Sequence, residues 1–249
     1  MPFVGSIIAH GLLPWQFIVV IVIDFIGTIL SFTMASFLTE PKVPARAEKA
    51  GEGKFKIFTE GFKLIKYDKI LLNMALNKIT IFQASFVYWR IYQVLLKNAS
   101  MPTLYLGLIY TVFQSVLFFM FWNTGKLQKR VGIMNFIFYP QVLGVIAVTI
   151  SFLTTNLILL FACCVILLIV GTIRDPLFLA QMQARIPSFN RATATSTLNM
   201  IKNISDIPIL ILVGYLANID VRYVLLVAFA LFVIPLFWLR IEKEDLKIT

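Results

Sequence analysis

The chain has 249 residues, of which 59% are hydrophobic and only 14% charged, with a formal net charge of +10. A mean hydropathy of +0.88 and 23 Phe residues leave too little polar surface to clothe a water-soluble domain, and mark an integral membrane protein. The positive charge does not point to a nucleic-acid partner, because it lies in short loops between apolar runs.

A bilayer core of roughly 30 Å takes about 20 apolar residues in helical form. Seven runs meet that length, at approximately 14–38, 70–96, 102–123, 132–153, 156–180, 194–217 and 221–240. They are continuous rather than alternating, which argues against barrel strands. Residues 1–13, MPFVGSIIAHGLL, read as the last turns of an additional helix without its beginning. No cleavable signal peptide is expected, since no basic segment follows Met1 and the first apolar run is too long. Asp24 falls near mid-depth of the first run and is a proton-site candidate.

The stretch 39–69 carries Lys42, Arg46, Lys49, Lys54, Lys56, Lys63, Lys66 and Lys69. Its first part, PKVPARAEKAGEGK, reads as flexible linker. Phe55, Phe58, Phe62 and Ile65 then recur at helical spacing with lysines between them. That pattern predicts a short helix on the inner membrane surface, or simply the start of the second span.

The second run places Asn73, Asn77, Thr80, Ala84 and Tyr88 on one helix face. Such a face serves either a solute or hydrogen bonds between helices. Lys78 and Arg90 lie near the two ends, where long side chains snorkel to water. Asn98-Ala99-Ser100 matches a glycosylation sequon, a three-residue pattern that chance readily produces.

Between the third and fourth runs stands NTGKLQKRVG, residues 123–132. Gly125 and Gly132 permit a tight turn between helices, and Lys126, Lys129 and Arg130 hold it on the inner side. In the fifth run, Cys163 and Cys164 are sequence neighbours with no ligand set around them, and read as small buried hydrophobes. TIRDP, 172–176, puts Arg174, Asp175 and Pro176 at the inner end of that run, as a gate or as an interfacial Arg with local capping; Pro176 bends the helix.

The sixth run follows Arg185 and Arg191 and carries Thr195, Asn199, Lys202 and Asp206 at spacings that share one face. Asp206 lies roughly mid-bilayer, and Lys202 and Asp206 are one turn apart and able to pair. The face is either a cavity-facing stripe or a helix-packing seam with a self-satisfied ion pair, and Pro208 bends the helix beyond it. The tail adds Arg240, Lys243 and Lys247, whereas the opposite loops hold only Lys97 and Arg222. Positive residues stay cytoplasmic, so the C-terminus and the long loop are expected inside, and residue 13 outside.

The single histidine, His10, excludes a His-based metal or catalytic cluster. The sequence contains no phosphate-binding loop, nucleophile elbow or H-E-x-x-H motif. No enzyme activity, cofactor or metal is expected, and an ATP-driven pump would need its motor from a partner.

GKLQKRVG resembles the cytoplasmic G-x-L-x-[DK]-R-x-G loop of the major facilitator superfamily, in its second copy between helices eight and nine. Lys129 stands where that family usually has an acidic residue. FLTEPK, 37–42, resembles the family's end of helix six before its central loop. RIPSFNRATATS, 185–196, resembles the loop that opens helix eleven in drug-exporter-like members, and GYLANIDVRYVLL the junction of helices eleven and twelve. The resemblance implies an all-α, polytopic helix bundle running from the end of helix five through helix twelve. Residues 1–38 would be a remnant of an N-terminal half, 39–69 the central cytoplasmic loop, and 70–249 a complete six-helix bundle.

It further implies secondary, ion-coupled transport of a small solute across the cell membrane by alternating access about a midplane site, with a tilt toward efflux. Asn77, Thr80, Tyr88, Asn199, Lys202 and Asp206 would line the cavity. Gly125, Lys129, Arg130, Gly132, Arg174 and Asp175 would gate it. Partners would be the lipid bilayer, the solute, a proton, and a missing N-terminal half or second chain. Two other readings stay open: a seven-helix receptor or sensor, and a non-transporting fragment or accessory membrane protein.

Overall fold

The computed structural model describes residues 13–37, 54–187 and 190–246, together with 5, 7 and 8. Every regular element among these is helical. In chain order they are α1 (Pro14–Ser36), α2 (Lys54–Tyr67), α3 (Lys69–Asn98), α4 (Leu106–Trp122), α5 (Thr124–Val131), α6 (Ile133–Leu153), α7 (Leu157–Ile173), α8 (Asp175–Arg185), α9 (Arg191–Ile219) and α10 (Val221–Phe237). The seven expected spans correspond to α1, α3, α4, α6, α7 with α8, α9 and α10. Five of these are long and apolar enough to cross a membrane. The exceptions, α4 and α10, have 17 residues each, about 25 Å at 1.5 Å per residue, the lower edge of a spanning length. The linker 41–53 and His10 lie outside the described residues.

Helix boundaries follow from local chemistry. Asp68 caps α3, its Oδ1 accepting from the amides of Ile70 and Leu71 at 3.0 Å each. Asn156 caps α7 in the same way, accepting from Ile158 N at 2.9 Å and Leu159 N at 3.2 Å. At the far end of α3, Ser100 adopts φ 66°, Met101 N donates back to the Leu96 carbonyl, and Ser100 N donates to that of Lys97. That closure satisfies carbonyls the helix end would otherwise leave bare.

The stretch NTGKLQKRVG is not the open turn its glycines suggest. It forms α5, bent 71° from α4. Thr124 Oγ1 and Asn123 Nδ2 donate to the carbonyls of Met120 and Phe119 across the break. Gly125 sits inside α5, and only Gly132, at φ 80°, uses a backbone conformation that other residues avoid. Pro208 lies within α9 without ending it.

The bundle is organised around α3, which packs against α2, α7, α8, α9 and α10, while α6 joins α7 to α10. The larger core gathers Tyr88, Leu96, Leu167, Val224 and Phe232, each fully buried. Bilayer helices gain little from apolar contact, so close approach through small residues must hold them together. Gly144 lies under the Phe232 ring and Gly171 against Ser85. A second core at the basic-loop end joins Ile65, Leu71, Phe178, Met182, Ile241 and Leu246. By contrast α1 buries none of its residues, Asp24 included, and α9 is mostly exposed.

The amphipathic helix α2 does form, but it is docked on protein as well as exposed. Ile65 is buried, and Gly61 abuts Thr193 and Thr197 of α9, so closely that a Cβ there would collide with the Thr197 hydroxyl. Gly61→Leu is expected to lift α2 off α9. Trypsin cleavage after Lys63 and Lys66 should then accelerate several-fold. An unchanged rate would show that this contact does not hold the helix.

Candidate functional site: a charged and aromatic cleft along α3

Two faces of α3 have different employment. The face expected to meet solute turns into the bundle. Asn77 is 1% exposed; its Nδ2 donates to the Leu239 carbonyl at 2.8 Å, and its Oδ1 accepts from Arg174 Nη2 at 2.7 Å and Gln141 Nε2 at 3.2 Å. Asn73 Nδ2 donates to the Arg240 carbonyl at 2.9 Å. The buried Tyr88 hydroxyl meets Ser151 Oγ at 3.1 Å and Cys164 Sγ at 3.4 Å. Thr80 Oγ1 donates to the Leu76 carbonyl of its own helix. The reason is local supply: where the chain leaves α10, its backbone carbonyls have no helical donor, and two asparagines one turn apart on α3 provide one each.

The adjoining face carries Lys78, Phe82, Ser85, Phe86 and Trp89, at the 3–4 residue spacing of a helix stripe. Two clefts run along it and share Phe82. One is lined by Lys78, Phe82, Asp175, Thr195, Asn199 and Lys202, from α3, α8 and α9. The other is lined by Phe82, Ser85, Phe86, Trp89, Tyr110 and Phe113, from α3 and α4, with Gly171 and Thr172 of α7 behind. Phe82 and Phe86 stack at 5.7 Å between ring centroids, and Trp89 lies 5.4 Å from Tyr110.

Lys78 Nζ and Asp175 Oδ1 are 3.7 Å apart, the one ion pair among the described residues. Lys202 does not pair with Asp206. Its Nζ crosses to α3 and sits 4.2 Å from the Phe82 ring centroid. Helical side chains lean toward the N-terminus, so a Lys leans away from an acid one turn later, and this order is the poorer of the two for an i,i+4 pair. Asp206 Oδ1 is shielded and has no hydrogen-bond partner among the described residues. Gln83 ties the two helices together, donating to the Lys202 carbonyl at 3.1 Å and to Ser205 Oγ at 2.9 Å. A cation on an aromatic face gains about 0.5–2 kcal/mol, whereas opposite charges 4 Å apart gain about 4 kcal/mol at an effective dielectric of 20. The ring therefore holds Lys202 weakly compared with what an arriving anion offers.

Of the expected gate, Arg174 and Asp175 occupy the junction of α7 and α8. Arg174 is buried, with its guanidinium 4.7 Å from the Phe178 ring centroid. Lys129 and Arg130 are exposed on α5, and no hydrogen bond or ion pair joins them to Arg174 or Asp175 among the described residues. The structure thus brings Asn199, Lys202 and Asp175 together and separates Asn77 and Tyr88 from them. Reading the sequence for polar faces missed Lys78, Phe82, Ser85, Trp89 and Tyr110. Their signal was the aromatic stripe 82, 86, 89 following Lys78, which also fits a lipid-facing surface.

These features define a class: a multi-pass, all-α membrane protein whose helices enclose a charged and aromatic cleft. The family model of the Major Facilitator Superfamily matches residues 1–209, and the chain belongs to that superfamily. It is a membrane transporter, not an enzyme. No curated protein and no solved structure matches the chain.

Proposed function

We propose that the chain moves a small solute across the cell membrane by ion-coupled secondary transport, with the α3 cleft alternately open to the two sides. The observation that carries this is the convergence of Lys78, Asp175 and Lys202 from three different helices on one cleft. Charges inside a bilayer are costly and mark solute or proton pathways. Asn199 and Lys202 are proposed as solute ligands, and Asp175 and Asp206 as candidates for the exchanged proton. Asn77, Thr80 and Tyr88 support the cleft from the rear of α3. Rigid-body rocking would break and remake the contacts of Arg174, Asp175 and the basic α5 loop.

The drug-exporter-like RIPSFNRATATS loop supports efflux as the direction. The basic loops support a cytoplasmic C-terminus. Residues 70–249 would then be one complete six-helix half, with 1–38 belonging to the other and 39–69 joining them. The exposed apolar stripe Met200, Ile204, Ile207 and Ile211 on α9 supports contact with a second six-helix unit, whether covalently continuous or a separate chain.

The test is flux in proteoliposomes carrying a pH gradient and a lumenal pH dye, against a panel of a sugar, an amino acid, an aromatic carboxylate and an aromatic amine. One panel member should dissipate the gradient only where the protein is present. Lys78→Asp should reduce that flux about tenfold, on the order of 1.4 kcal/mol, by placing two carboxylates face to face. The exchange K78D/D175K should restore it. Failure of every panel member would remove the transport reading, and an unrestored exchange would remove the pair from it.

A further inference from the structure

We propose that the α3 cleft takes an organic anion with a flat aromatic body, its carboxylate on Lys202 and its rings against Trp89 and Tyr110. The proposal rests on the cleft being the solute site and names the class of solute.

Four features support it. First, the charges on the cleft do not balance. Asp175 is matched by Lys78 at 3.7 Å. Lys202 rests on the Phe82 ring and shares the same carboxylate electrostatically, so two cations line the cleft against one acid, while Arg90, 4.5 Å from the Phe86 ring centroid, stands outside the lining. The remaining acid of this region, Asp206, lies one turn further along α9 and does not line the cleft. Arg174, next to Asp175, bonds Asn77 behind α3. The surplus facing the cleft is positive.

Second, the arrangement is wrong for a cation. An aromatic box that binds ammonium groups needs vacant ring faces. Here Phe82 and Phe86 each already present a face to one of the protein's own cations. Third, Ser85 is 6% exposed and lines the aromatic cleft, yet its hydroxyl has no hydrogen-bond partner among the described residues. A buried hydroxyl left without a partner is costly; it now faces Gly171, and a χ1 rotation toward the cleft would bring it to an acceptor atom of a bound solute. Fourth, the dimensions agree. Phe82 and Trp89 are seven residues apart on α3, about 10 Å along the axis, which is the length of a two-ring carboxylate. Trp89 and Tyr110, tilted at 59° to each other, form the apolar end.

Three probes of one shape and three charges test this: 1-naphthoate, 1-naphthylmethylammonium and 1-naphthylmethanol. Equilibrium dialysis against the 249-residue chain in micelles, with protein-free micelles as the blank, gives their affinities. Naphthoate should bind at least tenfold more tightly than either of the others. Lys202→Gln should remove that preference while leaving the alcohol unchanged, and Lys202→Arg should retain it, which separates lost charge from lost folding. Trp89→Leu should weaken all three probes together.

Equal affinities, preference for the ammonium, no binding of any probe, or a naphthoate preference that survives K202Q would each overturn the proposal. The same probes in proteoliposomes separate it from the transport reading. An ammonium probe that binds and crosses leaves transport standing and removes the anion. Naphthoate that binds through Lys202 without crossing upholds the recognition chemistry and removes transport.

Discussion

Asn77→Ala should destabilise the folded chain by about 3–5 kcal/mol, from one hydrogen bond to a buried charge and two neutral ones lost together. Among the described residues Asn77 is the only hydrogen-bond acceptor for the Arg174 guanidinium, whose Nε and Nη1 lack partners there. Removing it leaves a 3%-exposed cation with the Phe178 ring and the charge of the adjacent Asp175, but no hydrogen-bond acceptor among the described residues. It also frees the Leu239 carbonyl and Gln141, so the segment after α10 loses an anchor to α3. Asn77→Asp should be far milder, because a carboxylate keeps the acceptor and adds an opposite charge beside Arg174, sacrificing only the donor to Leu239. Unfolding in micelles followed by circular dichroism compares the two. If both variants unfold alike, or if N77A is within 0.5 kcal/mol of the parent, Asn77 does not join α3 to Arg174 and the segment after α10.

Gly171→Ala should cost about 1–3 kcal/mol, the usual range for forcing extra volume into a packed site. A Cβ at residue 171 would lie 2.5 Å from both Cβ and Oγ of Ser85, where α7 crosses α3. Neither helix can yield cheaply, because α3 is simultaneously held by α10 and α7 is backed by α6. Removing the opposing side chain while adding the methyl should be tolerated: the exchange S85G/G171A puts the small residue on the opposite helix and should recover most of the loss. Lack of recovery would mean that Ser85 is needed for more than its volume, consistent with its place in the cleft. Thermal unfolding of the two single variants and the double closes that cycle.

Much of the architecture could be read directly. Each span announced itself by a continuous apolar run, and the amphipathic spacing of Phe62 and Ile65 announced α2. The caps at Asp68 and Asn156 are equally local. The turn at 123–132 was half legible: Gly132 does what a glycine there suggests, but Gly125 is an ordinary helical residue, because Asn123 and Thr124 make the break through their own side-chain bonds.

The cleft was less legible. On α9 the stripe Asn199, Lys202 was found, since spacing alone puts those residues on one face. On α3 spacing singled out the face with Asn77 and Tyr88 and passed over the one with Lys78, Phe82 and Trp89, because spacing alone does not say which face looks inward.

The sequence by itself determined the helical membrane class, the positions of the spans and the placement of charge among the loops. All three depend on the length and composition of contiguous segments in a bilayer, where each helix must satisfy its own backbone. Only the tertiary structure decided what each polar side chain is for. Asn77 finds Leu239 and Arg174 at sequence separations of 162 and 97 positions, and Lys202 finds Phe82 rather than Asp206. A polar group in a bilayer must be satisfied somewhere, and whether protein or solute satisfies it depends on distant segments that no local pattern records.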